Sequence, residues 1–287
     1  MPDFPIIDTH VHLWDPRRFR IPWLDGVPQI NQTYALKEYA EHTQGVTIEA
    51  MVYLEVDVAP SYRLLEAQWV NALADEEPRL RAIVPSAPLE DGDCARSYLE
   101  ALKALGPRVK GVRRLLQAEP DDAFALRPDF VRGVRALADY DFSFDICIFH
   151  RQLPAVIELV RRCPEVRFIL DHLGKPDIKA GLRDPWQAHI RALAALPNVV
   201  CKISGMVTEA DHARWTVDDL RPYFETVYDA FGPDRVMFGG DWPVVLLASS
   251  YKRWVETVDA LTQGLSEDDR RKLWAENARR VYRLFDV

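Results

Sequence analysis

The chain of 287 residues has no apolar run near the roughly 20 residues that cross a bilayer. Its opening residues, Met1-Pro2-Asp3-Phe4-Pro5-Ile6-Ile7, place no basic stretch ahead of an apolar one, so no export signal is expected there. Cysteine is scarce and scattered at Cys94, Cys147, Cys163 and Cys201. That spacing argues against a disulfide framework and against a Cys-x-x-Cys metal site; reduced thiols in a cytoplasmic protein are the expectation. Positive charge is in deficit, with 36 Lys and Arg against 44 Asp and Glu, a net −8. Such a chain does not track phosphate backbones by bulk attraction, so neither nucleic acid nor a membrane is the expected partner. A local basic pocket for a small anion stays compatible with this balance. Gly-x-Gly-x-x-Gly and Walker motifs are missing, which removes the commonest nucleotide readings. So are low-complexity stretches, sequence repeats and the charge blocks that mark linkers. One domain over 1–287 is expected, as a monomer or homo-oligomer.

What is present is a rhythm. Short apolar runs rich in β-branched residues occupy 4–10, 46–56, 80–87, 109–116, 142–150, 166–172, 199–204 and 236–241. Helical periodicity fills most of the gaps, over 62–76, 129–139, 153–162 and 220–231, with two further helices over 251–261 and 266–284. Pro154 suits a first helical turn, Gly232 a C-cap, and Ser266 with Asp269 an N-cap. Strands alternating with helices imply βα units and a parallel sheet. Eight of them in this length predict a (β/α)8 TIM barrel, α/β in class, of about 250 residues. An open doubly wound sheet would show a Gly-rich turn after the first strand, and Thr9-His10-Val11-His12 stands there instead.

In a barrel the active site lies at the C-terminal strand ends. Strand one ends in Asp8-Thr9-His10-Val11-His12, and period-two alternation places Asp8, His10 and His12 on one face. Strand five ends in His150, strand six in Asp171-His172 and strand eight in Gly239-Gly240-Asp241. Four of the seven histidines therefore terminate strands, while His42, His189 and His212 fall in helices or loops and read as surface or packing residues. Imidazole and carboxylate donors suit a divalent ion of the zinc type, with an open position for water. Asp241, ionised at neutral pH, could accept a proton from that water.

These residues resemble the amidohydrolase superfamily over essentially the whole chain. The resemblance rests on His10-x-His12, His150, His172 and Asp241 in order and strand position. Asp8-Thr9-His10-Val11-His12-Leu13-Trp14, Asp171-His172-Leu173-Gly174-Lys175-Pro176 and Gly240-Asp241-Trp242-Pro243-Val244 narrow it to the branch of sugar-acid lactonases and 2-pyrone-4,6-dicarboxylate lactonases. The resemblance implies a metal set of His10, His12, His150 and Asp241, and a catalytic set of Asp241, His172, His150 and Arg113. Binuclear members bridge two metals through a carboxylated lysine at the end of strand four. Here Lys110 stands at the start of 109–116, roughly 20 Å from its far end. At most one divalent metal is expected, zinc by the donor set, and the branch implies that activity need not require it.

Arg113 and Arg114 face opposite sides of their strand. Gly111-Val112-Arg113 resembles a run in the same branch whose arginine faces the site, which selects Arg113 to hold a substrate carboxylate or hydroxyl, or the developing oxyanion. An ion pair with neighbouring acids is the competing role. Lys175 is a second basic candidate. Trp14, Trp23 and Trp242 are candidate walls for the C–H faces of a sugar. Glu55 and Asp57 end strand two, where solvated carboxylates are the default.

The expected reaction is hydrolysis of a small-molecule sugar-acid lactone by water attack on its carbonyl, with L-fucono-1,5-lactone or a related aldonolactone as substrate. A pyrone-dicarboxylate lactonase, a metal-dependent decarboxylase and a non-catalytic metal- or sugar-binding barrel are the alternatives.

Overall fold

The computed structural model describes residues 1–285. Strands β1 (Ile6–Val11), β2 (Ile48–Leu54), β3 (Leu80–Val84), β4 (Gly111–Arg113), β5 (Ser143–Ile146), β6 (Phe168–Leu170), β7 (Val199–Ile203) and β8 (Val236–Phe238) alternate with helices. The helices are α1 (Leu36–His42), α2 (Arg63–Glu76), α3 (Arg96–Lys103), α4 (Pro128–Ala136), α5 (Leu153–Arg162), α6 (Trp186–Ala194), α7 (Val217–Phe231) and α8 (Tyr251–Leu261). Neighbouring strands pair in parallel, β1 through β3 in one run and β4 through β8 in another. Parallel bridges Ile83–Val109 and Ser86–Arg113 join the runs at one seam, and Val11–Trp242 joins them at the other. The chain is a (β/α)8 barrel. All eight predicted strands are found.

The strands are buried on both faces, as a helix-covered parallel sheet requires, and so read as apolar runs rather than alternating ones. Inside the barrel Ile7, Val52, Leu54, Ala82, Val84, Ile169 and Met237 form one cluster, closed by Ala275, Ala278, Tyr282 and Leu284 of the tail. Full burial of one such side chain contributes about 1.5–3 kcal/mol.

Three local differences from expectation have physical causes. Helix α7 starts at Val217, before the predicted 220, because Thr216 and Asp219 form a capping box: the Asp219 carboxylate accepts from Thr216 N at 2.8 Å. The tail is not one helix. It runs Glu267–Arg271, widens over Lys272–Glu276, and resumes over Asn277–Tyr282. The wide turn seats Trp274 on Phe238, 4.5 Å between rings, and lets Asn277 donate to the carbonyls of Pro233 and Val236. The third lies in β1. From Asp8 to Val11 is three steps, against two from Met51 to Tyr53 on β2, so β1 carries a bulge. The extra residue breaks the period of two and turns Asp8 away from His10 and His12.

Candidate active site

Asp8 does not join the histidines. Its Oδ1 accepts from Gly240 N (2.7 Å) and His10 N (3.0 Å), and its Oδ2 from Tyr251 (2.8 Å) and Tyr39 (3.2 Å) on α8 and α1. It is a clamp between β1, the end of β8 and the helix layer. Burial raises its pKa to about 6 against the pull of those four hydrogen bonds. Gly240 is required there, since a Cβ would stand 2.4 Å from the Asp8 carboxylate.

His10, His12 and Asp241 converge. His10 Nε2 lies 3.2 Å from His12 Nε2 and 3.7 Å from Asp241 Oδ1, and His12 Nε2 lies 3.6 Å from that oxygen. His12 Nδ1 is 2.9 Å from the Leu54 carbonyl, which can only accept, so the ring proton sits on Nδ1 and Nε2 carries a lone pair. Burial, then the Lys202 charge, holds His10 well below its usual pKa, so its ring is neutral. Its Nε2 accepts from Arg113 at 3.2 Å, which places the proton on Nδ1, towards Asp171 at 3.4 Å. Two lone pairs and a carboxylate oxygen thus face one another. Three donors at about 2.1 Å around a tetrahedral zinc are about 3.4 Å apart, close to the observed edges. His12 also shows the outer hydrogen bond that orients metal-binding imidazoles, and His10 Nδ1 lies within charge range of Asp171. The residues fit a divalent ion, although loading it displaces the Arg113 proton from His10 Nε2.

A second donor group, His10, Asp171 and His172, already has resident cations. Lys202 Nζ is 3.0 Å and Arg113 is 3.3 Å from the Asp171 carboxylate. Lys202 is fully buried, reaches Asp145 at 2.7 Å and approaches His10 Nδ1 at 3.4 Å, while Tyr282 donates to the same Asp145 oxygen. Burial works to raise the Asp171 pKa, and Lys202 and Arg113 outweigh it, leaving the group ionised. The sequence signal for Lys202 was a lysine inside the apolar run Val199-Val200-Cys201-Lys202-Ile203.

His172 sits above this network, its Nδ1 2.8 Å from Ser204 Oγ and its Nε2 3.9 Å from Asp241. Burial holds it neutral, well below its usual pKa. Burial would also raise Asp241, but the neighbouring His172, His12 and Lys175 pull it below the ordinary carboxylate range. Gly205 leaves room for the ring, since a Cβ there would stand 2.5 Å from His172 Nδ1.

A cavity of about 220 Å³ opens over these groups, lined by His12, Arg113, His172, Lys175 and Asp241 and by the apolar Trp23, Val56, Leu115 and Val244. Asp57, Gln117, Ala118 and Cys147 complete the wall. Arg113 faces inward and Arg114 outward, on Glu90 and Glu119. The competing role for Arg113 is also realised: Nε donates to Glu55 at 2.7 Å and Nη2 to the Glu55 carbonyl. With His10 and Asp171 on Nη1, four of its five N–H groups are engaged. Glu55 is therefore buried and paired, against the default expectation, whereas Asp57 is exposed. Lys175 lies 3.6 Å from Glu209, a partner the sequence reading did not name.

Three expected site residues stand elsewhere. His150 is in neither donor group; β5 ends at Ile146, and His150 opens a short 3-10 turn with Nδ1 3.1 Å from the Lys175 carbonyl. Trp14 and Trp242 are fully buried and outside the cavity wall. Trp14 donates to the Gln32 carbonyl and Trp242 to His42 Nδ1, both at 2.8 Å, so both are packing residues behind the site.

The backbone under the site is unusual. His172, Leu173, Gly174 and Lys175 all have left-handed φ, at 53°, 57°, 68° and 48°, and Asp57 and Asp241 both have 52°. Each non-glycine residue there carries about 1–2 kcal/mol of strain. Four of the strained side chains line the cavity. Among the described residues, no helix is long and apolar enough to cross a membrane.

Comparison with known proteins agrees with this geometry. Residues 7–284 match a family model described as amidohydrolase. L-fucono-1,5-lactonase of Burkholderia multivorans is 38% identical over 97% of this chain and 96% of its own. L-rhamnono-gamma-lactonase of Scheffersomyces stipitis is 26% identical over 99% and 100%. A crystal structure of a Burkholderia multivorans amidohydrolase with bound zinc superposes with a TM-score of 0.86, at 33% identity over 98% and 100% of the two chains.

Proposed function

The chain belongs to the amidohydrolase family, and from that premise we propose that it is a lactonase. Its substrate is a sugar-acid lactone, L-fucono-1,5-lactone or a related aldonolactone, and its product the aldonic acid. The observation that carries the reading is Asp241, a buried ionised carboxylate whose Oδ1 meets three imidazole nitrogens at 3.6–3.9 Å under a small cavity. That cavity lies below the roughly 300–1,000 Å³ that takes drug-sized ligands, so it suits one small ring.

Asp241 takes a proton as water attacks the lactone carbonyl. The tetrahedral intermediate breaks its ring C–O bond, and Asp241 returns the proton to the leaving alkoxide, so lactone and water give the open hydroxy acid. His172 is neutral, and in the tautomer in which Ser204 donates to Nδ1 it offers Nε2–H to the carbonyl oxygen; the fifth Arg113 N–H is a second donor. His10, His12 and Asp241 would hold a single divalent ion, with zinc favoured by the donor set. When bound, such an ion polarises a carbonyl and lowers the pKa of water. Competition from Arg113 at His10 Nε2 makes that ion weakly held and turnover not strictly dependent on it.

A pyrone dicarboxylate fits less well, because Arg113 is matched by Glu55 and Asp171 and Lys175 by Glu209. The test is proton release on a panel of aldonolactones and 2-pyrone-4,6-dicarboxylate, with and without chelator. Turnover of one stereochemical series is expected in both arms, and Asp241→Asn should cost about 10²–10⁴-fold. A silent panel sinks the lactonase reading, and an active Asn variant sinks the base.

A further inference from the structure

The cavity wall contains an acidic side chain that the chemistry above does not use. Asp57 follows β2 on the same wall as Trp23 and Val56. Its amide donates to Glu55 Oε2 at 2.7 Å, but among the described residues no hydrogen bond or ion pair reaches its own carboxylate. Its backbone is left-handed, φ 52°, as at His172, Lys175 and Asp241. Strain of this kind persists where the surroundings enforce it and collects at functional sites.

Resting on the lactonase reading, we infer that Asp57 is a specificity-determining residue: its carboxylate accepts hydrogen bonds from ring hydroxyls and selects a neutral, polyhydroxylated lactone. A carboxylate is an acceptor only and can receive two vicinal hydroxyls at once. Complementary donors line the same cavity, the Lys175 ammonium and the Gln117 amide, and Trp23 offers a ring to the C–H face. The same carboxylate repels an anionic substituent. Both cavity cations already have acidic partners, so a carboxylate-bearing lactone would meet Asp57 with no free cation to offset it.

The probe is a 1,5-anhydroalditol, which keeps the ring hydroxyls and lacks the ester, with tetrahydropyran as the hydroxyl-free control. Calorimetry compares the wild type with Asp57→Asn, whose Asn tolerates left-handed backbone, and Asp57→Gly, which removes the side chain without strain. Both variants should weaken anhydroalditol binding by about 10- to 100-fold, the range for hydrogen bonds to a charged acceptor. The ratio of kcat/KM for the sugar lactone to that for δ-valerolactone should fall by a similar factor. Equal binding by wild type and variants overturns the role of Asp57 and leaves the lactonase reading standing. So does an equal loss on both lactones, which would mark a structural role. A wild type that binds the anhydroalditol through Asp57 but opens no lactone keeps this inference and removes the ester chemistry. A wild type that binds no polyol overturns the inference.

Discussion

Asp8→Asn isolates the cost of a buried charge. Asp8 holds four hydrogen bonds, yet burial keeps its pKa at about 6, against an ordinary 3.8. At about 1.4 kcal/mol per pKa unit, that difference is about 3 kcal/mol. Between these two values the folded protein retains a proton that the unfolded chain has released. The contribution is therefore fully present below about pH 4 and lost as pH rises through 6. Asn does not titrate. Its carbonyl can still accept from Gly240 N and His10 N, and its amide can donate to the hydroxyls of Tyr39 and Tyr251, which turn to accept. The stability of the wild type minus that of the variant should fall by about 2.4 kcal/mol between pH 4 and 7, most of it below pH 6.5. Urea unfolding followed by tryptophan fluorescence, in chelator at each pH, measures that difference. Every other titrating group cancels in the subtraction. A difference flat within about 0.5 kcal/mol across the window would falsify the account of Asp8 as a reluctant anion.

Two further outcomes follow from the charges inside the barrel. Lys202→Met strands the Asp145 and Asp171 carboxylates, and removing one partner of a buried pair costs about 3–5 kcal/mol; adding Asp145→Asn should recover part of that loss in the same unfolding assay, and additive losses would refute the pairing. Zinc at about 100 times its dissociation constant should stabilise the wild type by about 2.7 kcal/mol; His12→Ala should abolish the thermal shift, and a persisting shift would place the ion elsewhere.

The strands were legible because a parallel barrel buries both faces, and long apolar runs survive any small error of boundary. Several predicted ends overshoot, as 142–150 does against Ser143–Ile146, because apolar residues continue into the loops that wall the cavity. Helices α1, α3 and α6 went unread; in α3 only Leu99 and Leu102 are buried, too thin a stripe to show a period. The convergence of His10, His12, His172 and Asp241 was legible, since a barrel brings its strand ends together at one face. Asp8 could not be placed correctly, because a bulge shifts the phase of a strand without any residue that announces it. The left-handed turn from His172 to Lys175 is equally silent: only Gly174 favours it locally, and tertiary packing enforces the rest. Trp14 and Trp242 misled because an aromatic residue in a loop reads the same whether it walls a cavity or props up the wall from behind.

The Val11–Trp242 seam orders events in time. It joins the first strand to the last, so the two histidine donors and the aspartate that completes their triangle come from opposite ends of the chain. A ribosome adding about 5–20 residues per second makes Asp241 roughly 10–50 s after His12. Until then the histidines have no third donor, and a nascent chain offers a passing cation little to grip. On the proposed reading, ion capture would be deferred until the ring of strands can close around it, and a chain truncated before β8 would lack the third donor.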